Sequence, residues 1–468
     1  MVMKLFPRAS WAVCFARAWH SRVAVVFVLL ATVASWTESA FATTWYIKPD
    51  GTGDAPTIQA GIDAAAPGDI VLVAAGIYSA TSTVNINGTP TVVCVAIGKD
   101  IKLLSESGAS VTTISNSNAK VGVYSHDVGA ATEITGFRIQ TAFQGFACVD
   151  AATHPIFRSP PPTDFSRAIK CTNASPMIKA NDINGNDVGI ELSGSSASVV
   201  ENAISQCVIG IGCYDASNVA IGQNAIHACG TAVDCQSSVV TIDQNDLYDC
   251  CAAAYFVFGS DVTIRNNTIH ETYSRAIVGG TSRTTIENNR FANNSLALDL
   301  GGMIGVSTIQ HNVFYNQGGA IGLSDNPNAQ ITIAANTIDR TTRGAAILCQ
   351  ALSSPTIRRN IIVNAPSGIR CVLSSFPTFE CNDLFAVQQR YGGDCGEQTG
   401  VNGNISVDPQ FCGVPSGGNY FLQSDSPCVA GNHPAGYDCG EIGAMGVGCG
   451  VVSVKNKTWG AVKAMYKR

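Results

Sequence analysis

The sequence predicts an all-β solenoid, a chain wound into parallel coils that stack one on the next, and three observations predict it. The pattern I-x-x-N-x-I recurs around ten asparagines, Asn181, Asn202, Asn224, Asn245, Asn267, Asn289, Asn312, Asn336, Asn360 and Asn382, at spacings of 21, 22, 21, 22, 22, 23, 24, 24 and 22. Three residues before each asparagine stands Ile, Val or Phe, and two after it Ile, Leu or Phe. A second short apolar run follows about nine residues later (VGIEL, IGIGC, TAVDC and so on), alternating as a half-buried strand does. Between 170 and 385 no window sustains a helical period. Short strands, Gly/Asn/Ser turns and a period near 22 describe a parallel β-solenoid.

The asparagine column has a physical reason. A sharp corner between strands calls for left-handed backbone geometry, which Asn tolerates. Stacked in register, each carboxamide donates to one neighbouring coil and accepts from the other, satisfying groups that burial would otherwise orphan. Cysteines also fall in columns: Cys207, Cys229 and Cys250 in one, Cys213 with Cys235 and Cys349 with Cys371 in another. Inward-facing ones read as small buried hydrophobes, with disulfides between neighbouring coils as the alternative.

Composition bounds the function. Only 13% of residues are charged and the net charge is −6, which excludes a basic nucleic-acid-binding surface. Residues 1–42 read as a secretory signal: Lys4, Arg8, Arg17 and Arg22 precede VAVVFVLLATVASW, and Ala40-Phe41-Ala42 has the small-x-small form of a cleavage site. No later segment could span a bilayer, so the mature chain is expected to be secreted, periplasmic or on the cell surface, as a monomer. Seventeen of the 18 cysteines follow that site, in keeping with a disulfide-permissive compartment.

Residues 43–80 read as an N-terminal cap. TIQAGIDAAA places Ile58, Ile62 and Ala65 on one helical face, Pro67-Gly68 stops the helix, and DIVLVAAG is a strand entering the first coil. The order Asp50-Gly51-Thr52-Gly53, then Ile58-Gln59 through Ile62-Asp63-Ala64, then Val73 through Gly76 and Tyr78, resembles the start of pectin methylesterases. With the repeat, this identifies the chain as a member of the pectin lyase-like superfamily of secreted bacterial type over about residues 45–410. The resemblance implies a right-handed parallel β-helix, of about 10–13 coils over 81–410, with an insertion near 150–168. It does not carry over the family's chemistry. Tyr255 stands in YFVFG where an esterase has its aspartate, and the aspartate set of polygalacturonases and the W-x-D-H and R-x-P-x-x-R segments of pectate lyases are missing. Copper-handling periplasmic β-helix proteins are similar too, yet the six Met and seven His do not cluster as copper ligands would. Residues 411–450 read as a Cys-rich, disulfide-stapled C-terminal cap similar to those of secreted bacterial β-helix proteins, and 451–468 as a basic tail that could sort or anchor the chain.

One outward column, three residues after each asparagine, contains His227, Tyr248, His270, Tyr315 and Asp339; the next contains Asp249, Glu271, Asn293, Asn316 and Arg340. Aromatic rings beside carboxylates, amides and arginines are the mixture that binds sugars. A polysaccharide lyase needs a cation for the uronate carboxylate, a base and an acid; His270, Tyr248 and Arg275 would fill those roles, with Asp249 and Glu271 holding Ca²⁺. His227, Tyr315, Asp339, Arg340, Asn293 and Asn316 would bind substrate. No other cofactor is implied. The expected function is binding of an acidic, pectate- or alginate-like polysaccharide, with cleavage by β-elimination fitting better than hydrolysis or de-esterification. The competing expectation is a non-catalytic adhesion or structural module, and the sequence leaves open whether the chain is an enzyme.

Overall fold

The computed structural model describes residues 42–141, 165–413 and 419–449. The expected signal segment up to Phe41, the insertion near 150–168 apart from its last four residues, and the tail 451–468 lie outside the described residues.

Three parallel sheets make up the solenoid. Sheet 1 has 14 strands, from Thr44–Ile47 to Thr378–Glu380; sheet 2 has 13, from Gly76–Tyr78 to Asp383–Phe385; sheet 3 has 14, ending at Gln389–Gly393. The chain visits sheets 1, 2 and 3 in turn, so each strand pairs with its counterpart one coil away. The one antiparallel pair among the described strands is a hairpin, Ser82–Ile86 with Thr89–Ile97, around Asn87-Gly88.

The predicted columns stack in register. Ile178, Val199, Ile221, Ile242 and Ile264 line up inside sheet 1, and Ile183, Ile204, Ile226, Leu247 and Ile269 inside sheet 2, all at most 2% exposed. Burying such a side chain is worth about 1.5–3 kcal/mol, which makes these columns the main driving force for coil stacking.

Between sheets 1 and 2 the asparagines form a continuous ladder. From Asn181 to Asn404, each Nδ2 donates to the Oδ1 of the next at 2.9–3.1 Å. That Oδ1 also accepts the backbone N–H of the preceding asparagine, and Phe137, 44 residues before Asn181, opens the column by donating its N–H to Asn181. One expectation needs correction. The left-handed residue of the corner is not the asparagine but the one before it, such as Glu201 (φ 58°), Gln244 (φ 58°) and Asn288 (φ 55°). That turn aims the asparagine side chain inward, where Asn202 Nδ2, for example, donates to the Val200 carbonyl of its own corner and to the Ile178 carbonyl of the coil before. Asn404 extends the ladder by a rung that the repeat pattern misses, because Ser406 stands two residues on. The sheet 3 to sheet 1 corner has its own partial ladder, Ser195 N to Ser217 Oγ, Ser238 N to Ser260 Oγ and Ser260 N to Ser282 Oγ.

The N-terminal helix is Ile58–Ala64, capped by Thr57 Oγ1 accepting from Ala60 N, with Ile58, Ile62 and Ala65 buried as the pattern predicts. Cys207, Cys213, Cys229, Cys235, Cys250 and Cys349 are free and buried, so the hydrophobe reading holds for them, while Cys371 bonds to Cys395 rather than to Cys349. In the C-terminal cap the bonds are Cys381–Cys439 and Cys412–Cys449, and Cys428 is free.

The C-terminal cap packs on the outer face of sheet 2. Leu422, Cys428 and Ile442 close over Ile361 and Val363, and Ala444 N donates to Thr337 Oγ1. The Cys381–Cys439 bond, across 58 residues, ties the cap to the coil beneath. Closing a loop of that size is worth about 4 kcal/mol in the chain-entropy account. Cys381→Ser/Cys439→Ser is therefore expected to release the cap, seen as protease cleavage within 411–449 under conditions where the intact chain resists; equal resistance would contradict this account of the cap.

Candidate functional site

Sheet 2 presents its third strand position outward, and there Asn184, Ser205, His227, Tyr248, His270, Ala292, Tyr315 and Asp339 stand in register on successive coils. His227 and Tyr248 stack with centroids 4.8 Å apart and planes 11° from parallel; Tyr248 and His270 stack at 5.0 Å and 6°. Coil spacing sets the ring spacing, so the backbone builds this aromatic stack. His270 Nε2 lies 3.2 Å from Asp246 Oδ1 and its Nδ1 3.7 Å from Glu271 Oε2. Further along, the Arg340 guanidinium lies over the Tyr315 ring at 5.3 Å and donates to its hydroxyl at 3.0 Å.

The second predicted column is a corner. Asp249, Glu271, Asn293, Asn316 and Arg340 all have positive φ, between 52° and 62°, so the turn into sheet 3 fixes where they sit. Asn316 Nδ2 donates to Asn293 Oδ1 at 2.8 Å. Beside them runs an open groove of about 370 Å³, lined by Thr272, Tyr273, Asn293, Ser295, Asn316 and Arg343 among others. Tyr273 is 57% exposed, and exposed Arg343 makes no ion pair among the described residues. Sequence reasoning missed both, because corner residues beyond the first vary in number and form no column.

Three expectations are corrected. Arg275 does not join His270 and Tyr248: the left-handed turn at Glu271 sends the chain round the corner, Arg275 opens a strand of sheet 3, and its Nε pairs with Asp299 at 2.9 Å. The lyase trio is therefore not assembled. Asp249 accepts the hydroxyl hydrogen of Tyr273 rather than facing Glu271 across a shared site, and no group of three or more His, Cys, Asp or Glu side chains arranged to hold a metal ion occurs among the described residues. Asp339 is 0% exposed, because the C-terminal cap covers it: Tyr420 donates its hydroxyl at 2.9 Å and Asn364 Nδ2 donates at 2.7 Å. The exposed strip thus ends at Tyr315.

A second polar cluster, which the sequence did not reveal, lies on the outer face of sheet 3. Tyr214 donates to Asp234 at 3.1 Å, Gln236 donates to the same carboxylate, and Glu191 pairs with Arg167 and Lys170. Burial pushes the Asp234 carboxyl up to about 7, against the pull of its two donors. Gly212, between Glu191 and Asp234 in register, leaves room for the Tyr214 ring: a Cβ would stand 2.5 Å from the Tyr214 hydroxyl, so a larger residue would displace it. All of these groups but Lys170 are buried; Lys170 is half-buried and lines a pocket with Arg167, Asn87 and Thr91.

Comparison with known proteins bears on the fold. A family model described as right handed beta helix region matches residues 232–384, and one described as periplasmic copper-binding protein (NosD) matches 82–256. The residues do not fit copper. Among the described residues the one column of three thiols, Cys207, Cys229 and Cys250, is buried, and hydrogen bonding and desolvation hold the Cys207 and Cys229 thiols well above their ordinary range. No curated protein matches the chain. Among solved structures, the catalytic unit of a thermostable GH87 alpha-1,3-glucanase from Streptomyces thermodiastaticus is 14% identical with a TM-score of 0.56, over 76% of this chain and 69% of that one. The mannuronan C-5 epimerase AlgE6 A-module of Azotobacter vinelandii is 15% identical, TM-score 0.38, over 75% and 95%. Pectate lyase Pel9A is 14% identical, TM-score 0.37, over 88% and 98%.

Proposed function

We propose that this chain, a right-handed parallel β-helix of the pectin lyase-like fold, is an exported protein that binds an acidic polysaccharide along the sheet 2 strip and its corner groove. One observation carries the reading: exposed rings, amides and arginines are gathered on one open face. Tyr273 supplies an aromatic surface, Asn293 and Asn316 supply donors and acceptors, and the Arg340 and Arg343 guanidiniums suit a uronate carboxylate. The glucanase with the same fold acts on a polysaccharide by its name, which agrees in class. Export agrees with three disulfides among the described residues and with the absence there of any helix long and apolar enough to cross a membrane.

Binding is the supported activity rather than β-elimination, since the residues assigned to that chemistry lie on two different sheets. Calorimetric titration with tetrameric oligogalacturonate and oligomannuronate tests the proposal. Tyr273→Ala and Arg343→Ala are each expected to weaken binding about tenfold, a loss of about 1.4 kcal/mol, with the unfolding midpoint unchanged. Binding that survives both substitutions, or is absent in the intact protein, would overturn it.

A further inference from the structure

The outer stack on sheet 2 is interrupted at one coil. His227, Tyr248 and His270 pile ring on ring, Tyr315 follows two coils later, and the position between is Ala292. Directly inside that position the stack is not interrupted: Phe291 and Phe314 lie 4.7 Å apart with planes 6° from parallel. The inner pair holds the coils at their normal spacing, so they cannot close up to fill the outer gap. The far face of Tyr315 is taken by the Arg340 guanidinium, which leaves its near face turned to the gap; the far face of His270 is taken by Tyr248 in the same way. Ala292 itself is half-buried, so solvent still reaches this position of the strip.

We infer that the Ala292 gap is a slot for a single pyranose ring, held between the faces of His270 and Tyr315. The inference rests on the glycan-binding reading and gives it a defined subsite. Two coils span about 9.5 Å along the stack. Carbon contacts at about 3.5–4.0 Å on each side use about 7–8 Å of that, leaving the depth of one puckered chair. A flat aromatic ring would sit loosely there, and two stacked rings would not fit. Both faces of a pyranose carry C–H groups that pack on aromatic surfaces, while its hydroxyls point to the rim. At the rim stands Asn293, at the corner where the slot meets the groove. A uronate chain with one ring seated here would run on past Asn316 toward the Arg343 guanidinium.

The test fills the slot without touching the groove. Ala292→Tyr completes the stack and is expected to lower affinity for tetrameric oligogalacturonate or oligomannuronate, whichever binds the intact protein, at least about tenfold, with the unfolding midpoint equal or higher. Ala292→Leu, a smaller filling, is expected to act in the same direction, and Ala292→Ser, which leaves the slot open, to bind as the intact protein does. Full affinity in Ala292→Tyr and Ala292→Leu, with binding still lost in Tyr273→Ala, would overturn the slot and leave the groove standing. Failure of the intact protein to bind either oligosaccharide would overturn both.

Discussion

Asn267→Ala is expected to destabilise the protein by roughly 4 kcal/mol, the largest effect of any single polar substitution in the coils. Its Nδ2 donates to the Ile242 carbonyl at 2.8 Å, the Arg265 carbonyl at 2.8 Å and Asn289 Oδ1 at 3.0 Å. Its Oδ1 accepts from the Asn245 backbone N–H at 2.8 Å and from Asn245 Nδ2 at 3.0 Å. Alanine deletes all five bonds at a site 2% exposed, where water cannot replace them. The Asn245 backbone N–H loses its partner outright, at about 1–3 kcal/mol, and the Ile242 and Arg265 carbonyls, Asn289 Oδ1 and Asn245 Nδ2 each lose one further bond. The matched control is Asn293→Ala, at an exposed corner with φ 56°: it loses one surface bond and adds left-handed strain, together about 1–2 kcal/mol. Guanidinium unfolding midpoints compare the two directly. Equal shifts would mean that the ladder is ornamental and that apolar columns alone hold the coils.

Raising the pH from about 4 to about 7 is expected to cost the fold a comparable amount at each of two buried carboxyls. Asp383 lies beneath the C-terminal cap, accepting from Val407 N at 3.0 Å and from the Cys428 thiol at 3.2 Å, and loss of water pushes its carboxyl up to about 7. Asp234 is pushed to about 7 by the same cause. Unfolded, both ionise near pH 4, so between about pH 4 and 7 the unfolded chain binds fewer protons than the native one and stability falls as pH rises. The protection is complete below about pH 4 and gone above about pH 7. A rise of about three units corresponds to roughly 4 kcal/mol per group. Asp383→Asn keeps an acceptor for Val407 and cannot ionise, so it is expected to remove about half of this slope and to stabilise the cap at pH 8. A slope unchanged in Asp383→Asn would show that this carboxyl ionises freely in the native fold.

Much of the fold was legible because a solenoid repeats its own reasons. Ile, Asn and the following apolar residue are demanded afresh in every coil, and the stacking makes each demand the same. What was illegible depends on the neighbour of a position rather than on the position. The left-handed residue before each asparagine can be Ala180, Glu201 or Arg359, since the turn constrains its backbone and not its side chain. Asp339 looked like a rung of an open strip, but Tyr420, 81 residues on, comes back to cover it. His270 and Arg275, close in sequence, are parted by one turned residue, Glu271, into different sheets. The strip from His227 to Tyr315 could be read off as a column; Tyr273 and Arg343 could not, and neither could the buried pairing of Tyr214 with Asp234.

The most direct measurement is a crystal structure of the protein soaked with an oligouronate. It is predicted to show the ligand along the sheet 2 corner, touching Tyr273, Asn316 and Arg343, with one ring between His270 and Tyr315. Density on sheet 1, or on sheet 3 over Glu191 and Asp234, with the sheet 2 corner bare, would contradict the account.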